Sequence, residues 1–335
     1  MDIERPTELS TYLRQKTLIV YDEDISMQLL PGGVSNRTVL VTRPNGEQWV
    51  IKQALHKLRV KADWFSDPVR IHREAQALHC LGSLAPNGSV PELVFDDADL
   101  HVIAMRAVQQ PHENWKSMLL RGQIVMQHVA QFAEWLGIVH RDAPAHPELK
   151  KVFSDRTFFE SLRLEPYYRF TASKLPESAM FLNRLIEDTL AHCDTWVHGD
   201  FSPKNVLVHQ DKLVILDYEV VHWGDPAFDV GFAMTHLLSK AHHLTQHRNA
   251  FVSAAQQFWQ IYSQHVEGLY GDLEKRATRH TLACLLARVD GRSPLEYLTD
   301  GERLRQRAGV LQLMHNTPVD MSALIQQFST HLANT

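Results

Sequence analysis

The residues best suited to chemistry lie within twenty positions of one another. Asp200 belongs to the run HGDFSPKN, Asn205 ends that run, and Asp217 follows an apolar stretch twelve residues later. Phosphoryl transfer needs a carboxylate at the acceptor hydroxyl and oxygen ligands for the magnesium ion that neutralises a triphosphate. One tight loop can present both Asp200 and Asn205, and the next hairpin can bring Asp217 to the same metal. The pattern therefore predicts a phosphoryl-transfer site.

Together with Glu219, these residues reproduce the motifs HGDxxxxN and IxDxE. They resemble those of the aminoglycoside phosphotransferase and choline kinase superfamily, whose members are relatives of the protein kinases. The resemblance implies that Asp200 is the catalytic base and that Asn205 and Asp217 hold Mg²⁺. It leaves two roles open for Glu219, at the metal or as a structural carboxylate. A plain cap or turn role for Asp200 is disfavoured, because the whole set recurs at kinase spacing.

A second part of the resemblance follows in the run GDPAFDVG. In the family a DPxxD stretch opens a helix after the metal-binding Asp. The resemblance implies that Asp229 accepts hydrogen bonds from the backbone near His198 and Gly199, and so supports the catalytic loop. Asp225, beside Pro226, also suits the cap of a helix.

The run LPGGVSNR, before a predicted strand, resembles the SGGxSN loop of the family. Gly32 and Gly33 allow the backbone to approach a phosphate closely, and Ser35 and Asn36 can donate hydrogen bonds. In another context the glycine pair would indicate only a turn. Here the resemblance implies a nucleotide-binding loop.

Lys52 and Glu74 form the predicted cation–anion pair of the nucleotide site. Lys52 ends the strand pattern QWVIK, and Glu74 lies on the next predicted helix. In kinases such a lysine contacts the nucleotide phosphates and such a glutamate orients it. Arg73 is adjacent, so an error of one residue in the helix would change this assignment. The backbone of residues 105–108 is expected to bind adenine.

Two hairpins and one helix are predicted in the first third of the chain. Residues 37–42 and 48–52 alternate in polarity and flank the turn signal RPNG, which favours a hairpin. A second hairpin is expected from residues 92–95 and 101–105. Between the hairpins a helix is predicted to begin at Asp67-Pro68, with Asp67 as its N-cap, and to end near residue 82.

Helical patterns replace strand patterns beyond residues 106–111, with examples at 124–140 and 179–192. Short strands are predicted between them at 196–197, 206–208 and 213–216. The expected architecture is α+β and bilobal, protein-kinase-like, with the active site in the cleft. We assign residues 1–106 to a small β-rich nucleotide-binding lobe and 107–335 to a larger, mostly helical catalytic and substrate-binding lobe.

Composition limits the remaining functions. The 335 residues carry a net charge of -5, which argues against nucleic-acid binding. No signal peptide and no membrane-spanning apolar run is recognisable. Cys80, Cys193 and Cys284 are too few and too far apart for a disulfide framework, which favours the cytoplasm. A small-molecule substrate is expected, with ATP and Mg²⁺ as cofactors, and the oligomeric state stays open.

The acceptor is less well specified. The run beginning KQALHKLR resembles the N-lobe of methylthioribose kinases, but those enzymes carry His-Thr-Gly-Ser where this chain has SPKN. Arg288 and Arg292, in a segment common to bacterial members of the superfamily, are candidate contacts for an anionic or sugar-like substrate. An aminoglycoside or choline is the alternative, choline with an aromatic cage drawn from Trp259, Tyr262 and Tyr270.

Two classes of function remain. The first is a small-molecule kinase that uses ATP, and the second is a nucleotide-binding pseudokinase or scaffold. The full set of motif residues favours the kinase. A phospho-regulated protein kinase is disfavoured, because Gly199 replaces the usual Arg, Glu219 replaces a Gly, and no long activation segment follows Asp217.

Overall fold

An antiparallel five-stranded sheet occupies the first third of the chain in the computed structural model, which describes residues 1–30, 35–59 and 65–333. Its strands are β1 Ser26–Leu29, β2 Asn36–Thr42, β3 Gln48–Ala54, β4 Leu93–Asp97 and β5 Val102–Arg106. They lie side by side in the order β1-β2-β3-β5-β4. Both predicted hairpins are confirmed, since β2 pairs with β3 and β4 with β5.

One face of this sheet is covered by a helix that the sequence analysis missed. Helix α1, Pro6–Gln15, packs Leu9 and Leu13 against Val41 and Trp49 of the sheet. The expectation of a single helix in the first third was therefore wrong. Three apolar residues in ten give too short a periodic pattern to recognise, and the helix is stabilised by the sheet that it covers.

The other face carries α2, Arg70–Leu84. Its predicted start at Asp67 was wrong. Asp67 instead accepts a hydrogen bond from the backbone of Val69 at 3.0 Å, in a turn that precedes the helix. Because residues four apart share one helix face, this start places Arg70 directly beside Glu74 on the side that faces the rest of the chain.

Short strands frame the loop of residues 198–205. They are β6 Glu113–Asn114, β7 Thr195–Val197, β8 Val206–His209, β9 Lys212–Ile215 and β10 His222–Gly224. Strand β8 lies between β6 and β9, and β7 pairs with β10. The three short strands predicted in this region are confirmed, with bounds shifted by at most one residue. The loop therefore begins on one small sheet and ends on another.

Helices make up most of the remaining chain. They are α3 Trp115–Leu120, α4 Met126–Asp142, α5 Pro147–Phe153, α6 Thr157–Phe159, α7 Phe170–Lys174, α8 Pro176–Ala191, α9 Ala227–His243, α10 Arg248–His265, α11 Leu273–Asp290, α12 Asp300–His315 and α13 Met321–Ala333. The helices predicted at 124–140 and 179–192 are confirmed as α4 and α8. Helix α9 is buried over nearly its whole length and packs against α10 and α11. In the described part of the chain, none of the helices has the length and apolar character needed to cross a bilayer.

An unusual helical segment joins α6 to α7. Residues Glu160–Arg169 form a π-helix with Pro166 inside it. Proline has no backbone N–H, so it interrupts the ordinary α-helical hydrogen-bond ladder. The wider turn carries the side chain of Arg163 to the loop that follows β7.

Candidate active site

The loop after β7 is held by the buried carboxylate of Asp229, in the first turn of α9. Asp229 accepts hydrogen bonds from the backbone N–H of His198 at 2.6 Å and of Gly199 at 2.8 Å. Gly199 has φ +76°, and a Cβ atom there would lie 2.8 Å from the carbonyl oxygen of Val220. Only glycine fits this position without strain, because its backbone is left-handed and closely packed.

His198 anchors the loop in the core. Its ring lies among aromatic rings, the nearest being that of Tyr218 at 4.9 Å between centroids. Its Nδ1 accepts a hydrogen bond from the backbone of Asp200 at 3.2 Å. Burial lowers the pKa of His198, so the ring is neutral and suited to that acceptor role. The histidine therefore shapes the turn that presents Asp200.

The carboxylate of Asp200 is buried, and its two oxygens differ. Oδ2 accepts from Asn205 at 2.8 Å, lies 2.8 Å from Lys204 Nζ and lies 3.1 Å from Arg163 Nη2. Oδ1 has no hydrogen-bond partner among the described residues. Burial disfavours ionisation, but Arg163 and Lys204 outweigh it and lower the pKa of Asp200 well below its ordinary value. The group is an ionised carboxylate with one oxygen left for a ligand.

Asn205 and Asp217 supply oxygen atoms on the same side of the loop. The Asn205 amide uses its nitrogen in both of its hydrogen bonds to Asp200, which leaves the amide oxygen for a cation. Asp217 has φ +72°, and among the described residues the nearest basic atom to its carboxylate is Lys52 Nζ, 3.7 Å away. An amide oxygen and a carboxylate with free lone pairs suit Mg²⁺, which takes few protein ligands and completes its shell with phosphate and water. The residues present therefore fit this metal. The described residues contain no group of three or more His, Cys, Asp or Glu side chains placed to hold a metal ion without such help.

Lys52 and Glu74 meet in the interior. Lys52 Nζ lies 2.7 Å from Glu74 Oε1. Burial alone would lower the pKa of Lys52, but Glu74 and then Asp217 outweigh it and raise that pKa. Burial also raises the pKa of Glu74, to about 7, against the opposing effect of Lys52. The pair connects β3 to α2 and directs the ammonium group toward Asp217.

Glu219 is occupied by protein contacts. Its Oε2 lies 3.2 Å from Arg70 Nε and accepts a hydrogen bond from Asn36 Nδ2 at 3.3 Å. Arg70 is fully buried and also donates to the backbone carbonyl of Ser35. This network fixes the entry to β2 against the segment that follows Asp217. The predicted residues Gly32 and Gly33 lie outside the described residues.

Two cavities meet at this site. The first, of about 410 Å³, has apolar walls from Val50, Met105 and Leu216 and reaches Lys52. The second, of about 650 Å³, contains Asp200 and lies on the side of α9 and α11. Both are lined by residues of the junction between them, Ser35, Lys204, Asn205 and Asp217.

The two predicted arginines line the second cavity and differ in exposure. Arg288, on α11, is 5% exposed and donates to the carbonyl of Ser293 at 2.9 Å. Arg292 is exposed and lies over the ring of Phe170, 4.8 Å from its centroid. The aromatic residues considered as a choline cage do not form one here. Tyr262 is buried in the core, with its hydroxyl hydrogen-bonded to His140.

Sequence reasoning missed three basic residues of the site. Arg163 precedes Asp200 by many residues and lies in a segment without a recognisable motif. Lys204 lies inside the loop motif, but its reach to Asp200 depends on the turn. Arg70 carried a usable signal, because it lies four residues before Glu74 on the same helix face.

Comparison with models of known protein families shows which family the chain belongs to. A model of the phosphotransferase enzyme family (APH) matches residues 26–243. The chain belongs to this family. The resemblance to the aminoglycoside phosphotransferase and choline kinase superfamily is thereby confirmed, and the loop after β7, with Asp200 and Asn205, lies within the matched region.

A curated relative confirms the second resemblance. Methylthioribose kinase 2 of Oryza sativa subsp. japonica is 24% identical over 217 residues, which cover 56% of this chain and 51% of that protein. The chain spans about half the length of the curated relatives it matches.

Two solved kinase structures share the fold. The amicoumacin kinase hAmiN, in complex with AMP-PNP, Ca²⁺ and Ami, superimposes with a TM-score of 0.57 at 12% identity, covering 95% of this chain and 98% of that one. Choline kinase from Cryptosporidium parvum Iowa II gives 0.56 at 10% identity, covering 96% and 100%. The predicted α+β, protein-kinase-like fold, with a small sheet-based lobe and a larger helical lobe, is confirmed.

Proposed function

We propose that this phosphotransferase-family protein transfers the γ-phosphoryl group of ATP to a hydroxyl of a small molecule. One observation carries the proposal. Asp200, whose Oδ1 has no hydrogen-bond partner among the described residues, lines the second cavity, while Asn205 and Asp217 line both cavities. A nucleotide in the first cavity and an acceptor in the second would meet between these three side chains. Kinases need this arrangement, because phosphoryl transfer depends on positioning and charge stabilisation.

The first cavity supports the nucleotide half of the reaction. Its apolar walls suit an adenine ring, and Lys52 at its inner end suits the phosphates. Glu74 on α2 forms an ion pair with Lys52 and so holds its ammonium group in place. We assign this role to residues 1–106, together with Asn36 and Ser35 at the phosphate end. Residues 107–335 would supply the catalytic loop and the acceptor site.

Asn205 and Asp217 would hold Mg²⁺, which would neutralise the phosphate charge during transfer. Glu219 is assigned a supporting role, since Arg70 and Asn36 already engage its carboxylate. Its place in the second cavity allows it to contact the metal through water. The dominant function of Glu219 is then to keep β2 and the metal-binding segment together.

Asp200 would accept the hydrogen bond of the acceptor hydroxyl at Oδ1. Its lowered pKa makes it a weak base, so it orients the hydroxyl first. The acceptor oxygen bonds to phosphorus as the bond to ADP breaks, and the hydroxyl proton passes to Oδ1. A late proton transfer suits the loose transition state of phosphoryl transfer. Lys204, which lines both cavities, would stabilise the charge on the transferred group.

The pseudokinase alternative is not favoured, because every polar residue of the motif set that lies in the described part of the chain is placed at the junction or in its support. A methylthioribose-kinase-like substrate is supported by the relative but not by the loop, where SPKN replaces the expected residues. We place the reaction in the cytoplasm, in keeping with three unpaired cysteines.

The test measures Mg²⁺-dependent ATP consumption against a panel of hydroxyl acceptors, with Asp200→Asn beside the wild type. We expect one acceptor class to stimulate turnover. The turnover rate of the variant should be lower by a factor of about 10² to 10⁴, while the variant still binds nucleotide. Asp22→Asn, at an exposed position away from the cavities, is the matched control. Full turnover by Asp200→Asn, or failure of the wild type to bind Mg²⁺-nucleotide, would contradict the proposal.

A further inference from the structure

The charges that line the second cavity do not balance. Each of its carboxylates has a basic partner. The pairs are Asp200 with Arg163, Asp217 with Lys52, Glu219 with Arg70 and Glu296 with Lys116. Arg288 lines the same cavity and has no carboxylate partner among the described residues. These pairs are not one to one, because Lys52 also pairs with Glu74 and Asp200 also contacts Lys204, but Arg288 is buried and makes no ion pair within the described residues.

The contacts of Arg288 are all with neutral groups. Its Nη1 donates to the carbonyl oxygen of Ser293 at 2.9 Å and to the hydroxyl at 3.1 Å. Its Nη2 lies 3.4 Å from His236 Nε2. Burial, followed by the nearby cation Arg288, lowers the pKa of His236 well below its ordinary value, so this histidine stays uncharged. These partners orient the guanidinium group without neutralising it.

Two aromatic rings pack against the guanidinium group of Arg288. The guanidinium carbon lies 4.9 Å from the ring centroid of Tyr167 and 5.0 Å from that of Phe232. The side chain is therefore held in one place by rings and hydrogen bonds, while its Nε, also buried, has no partner in the described part of the chain. Arginine does not release its proton in proteins, so the charge persists. Asp200 and Glu296 attract this charge at longer range, but neither contacts the guanidinium group, so a bound anion would stabilise it directly.

A second cation supports the same interpretation. Arg292 lines the cavity, is exposed, and makes no ion pair within the described residues. Lys240 on α9 lies behind this wall and donates to the backbone carbonyl of His236 at 3.2 Å, but burial and then Lys116 lower its pKa to about 7, so it adds only a partial positive charge near neutral pH. The wall formed by α9, α11 and the following turn is therefore positive, which opposes a polycation or choline.

We propose that the acceptor carries an anionic group, a carboxylate or a phosphate monoester, that binds Arg288 while its hydroxyl faces Asp200. This inference rests on the proposed kinase function and adds the class of substrate to it. Both groups fit a guanidinium fork through paired hydrogen bonds. Arg292, at the exposed edge, would contribute to capture of the anion.

The experiment uses the full chain loaded with Mg²⁺ and AMP-PNP, followed by calorimetric titration with matched probes. Gluconate is compared with sorbitol, and glycerol 3-phosphate with glycerol. We expect at least one anionic probe to bind about 10- to 100-fold more tightly than its neutral partner, as for a hydrogen-bonded charge pair. The pair that shows the preference tells a carboxylate from a phosphate.

Variants connect this preference to the residue. Arg288→Gln should abolish it, and Arg288→Lys should retain part of it. Arg279→Gln, on the same helix but paired with Asp188, should leave it unchanged. Should Arg288→Gln fail to fold, the exposed Arg292→Gln should still weaken binding of the anion several-fold.

The outcomes separate the two proposals. Failure of the wild type to bind Mg²⁺-nucleotide overturns the kinase function and this inference with it. Nucleotide binding without any preference for the anionic probes, including no binding of either probe, overturns this inference alone. A preference that survives both Arg288→Gln and Arg292→Gln also overturns it.

Discussion

Arg163 and Asp200 form an ion pair at 3.1 Å, and the same arginine donates from Nε to the carbonyl oxygen of Gly199 at 2.6 Å. One side chain from the π-helix thus fixes both the backbone and the carboxylate of the loop that follows β7. Protein kinases carry an arginine within that loop itself. Here the arginine comes from a distant segment, and the corresponding position of the loop is Gly199.

Arg163→Met should lower kcat about 10- to 100-fold, because a charge-assisted hydrogen bond contributes about 1.5–3 kcal/mol. The KM for ATP should change little, since Arg163 is not among the residues of the first cavity. Steady-state kinetics check both values. Arg163→Lys should restore part of kcat, whereas Arg169→Met, which removes exposed ion pairs of the same helix, should have no effect. A variant with reduced stability but normal kcat would show that Arg163 is only structural.

Asp217→Asn should remove the advantage that Mg²⁺ gives to nucleotide binding, because the carboxylate proposed to hold Mg²⁺ is lost. Calorimetric titration of ADP with Mg²⁺, and again with EDTA, measures that advantage directly. We expect at least a 10-fold loss with Mg²⁺ and little change with EDTA. Asp211→Asn, at the exposed turn between β8 and β9, is the matched control. An unchanged Mg²⁺ advantage in Asp217→Asn would contradict the metal assignment.

The pH dependence of catalysis should follow Glu74. Burial raises its pKa to about 7, so acidification through pH 7 protonates it and weakens its pairing with Lys52. We expect kcat/KM for ATP to fall below about pH 7, whereas Asp200 stays ionised there because its pKa is lowered. In Glu74→Gln this acid limb should disappear and activity should be low at every pH. An acid limb that persists in Glu74→Gln would contradict the assignment.

The same group affects stability with a defined sign. The folded-state pKa of Glu74 lies above its ordinary value of 4.5, so the folded protein binds more protons than the unfolded chain between the two values. The contribution of Glu74 to the free energy of unfolding is therefore complete below about pH 4.5 and is lost as the pH rises to about 7. Denaturant titrations of wild type and Glu74→Gln across this range measure the difference.

Gly199→Ala should lower the free energy of unfolding by about 1–3 kcal/mol, because alanine would be strained at a positive φ and its Cβ would approach Val220 O. Gly268→Ala is the matched control, since Gly268 has φ +72° but open space around it. Gly268→Ala should lower the free energy of unfolding by less, because only the strain of the positive φ acts there. Denaturant midpoints compare the two. Equal losses in both variants would mean that contact with Val220 has no energetic weight.

The sequence alone determined the parts of this protein that depend on local spacing. The hairpins followed from alternation and turn residues, and the loop motif identified Asp200, Asn205 and Asp217 because these residues lie close together in the chain. The strand lysine and the helix glutamate were found by their order along the chain. The sequence did not predict the short helix α1, because its few apolar residues show a clear pattern only once the sheet that they cover is known.

The tertiary structure decided what lies around those residues. Arg163 reaches Asp200 through a π-helix that no local pattern predicts, and Glu219 is held by Arg70 because α2 begins at that residue. The unpaired charge of Arg288 is also invisible in the sequence, where basic and acidic residues are nearly equal in number. Whether a charge has a partner depends on distances across the folded chain, and only packing sets those distances.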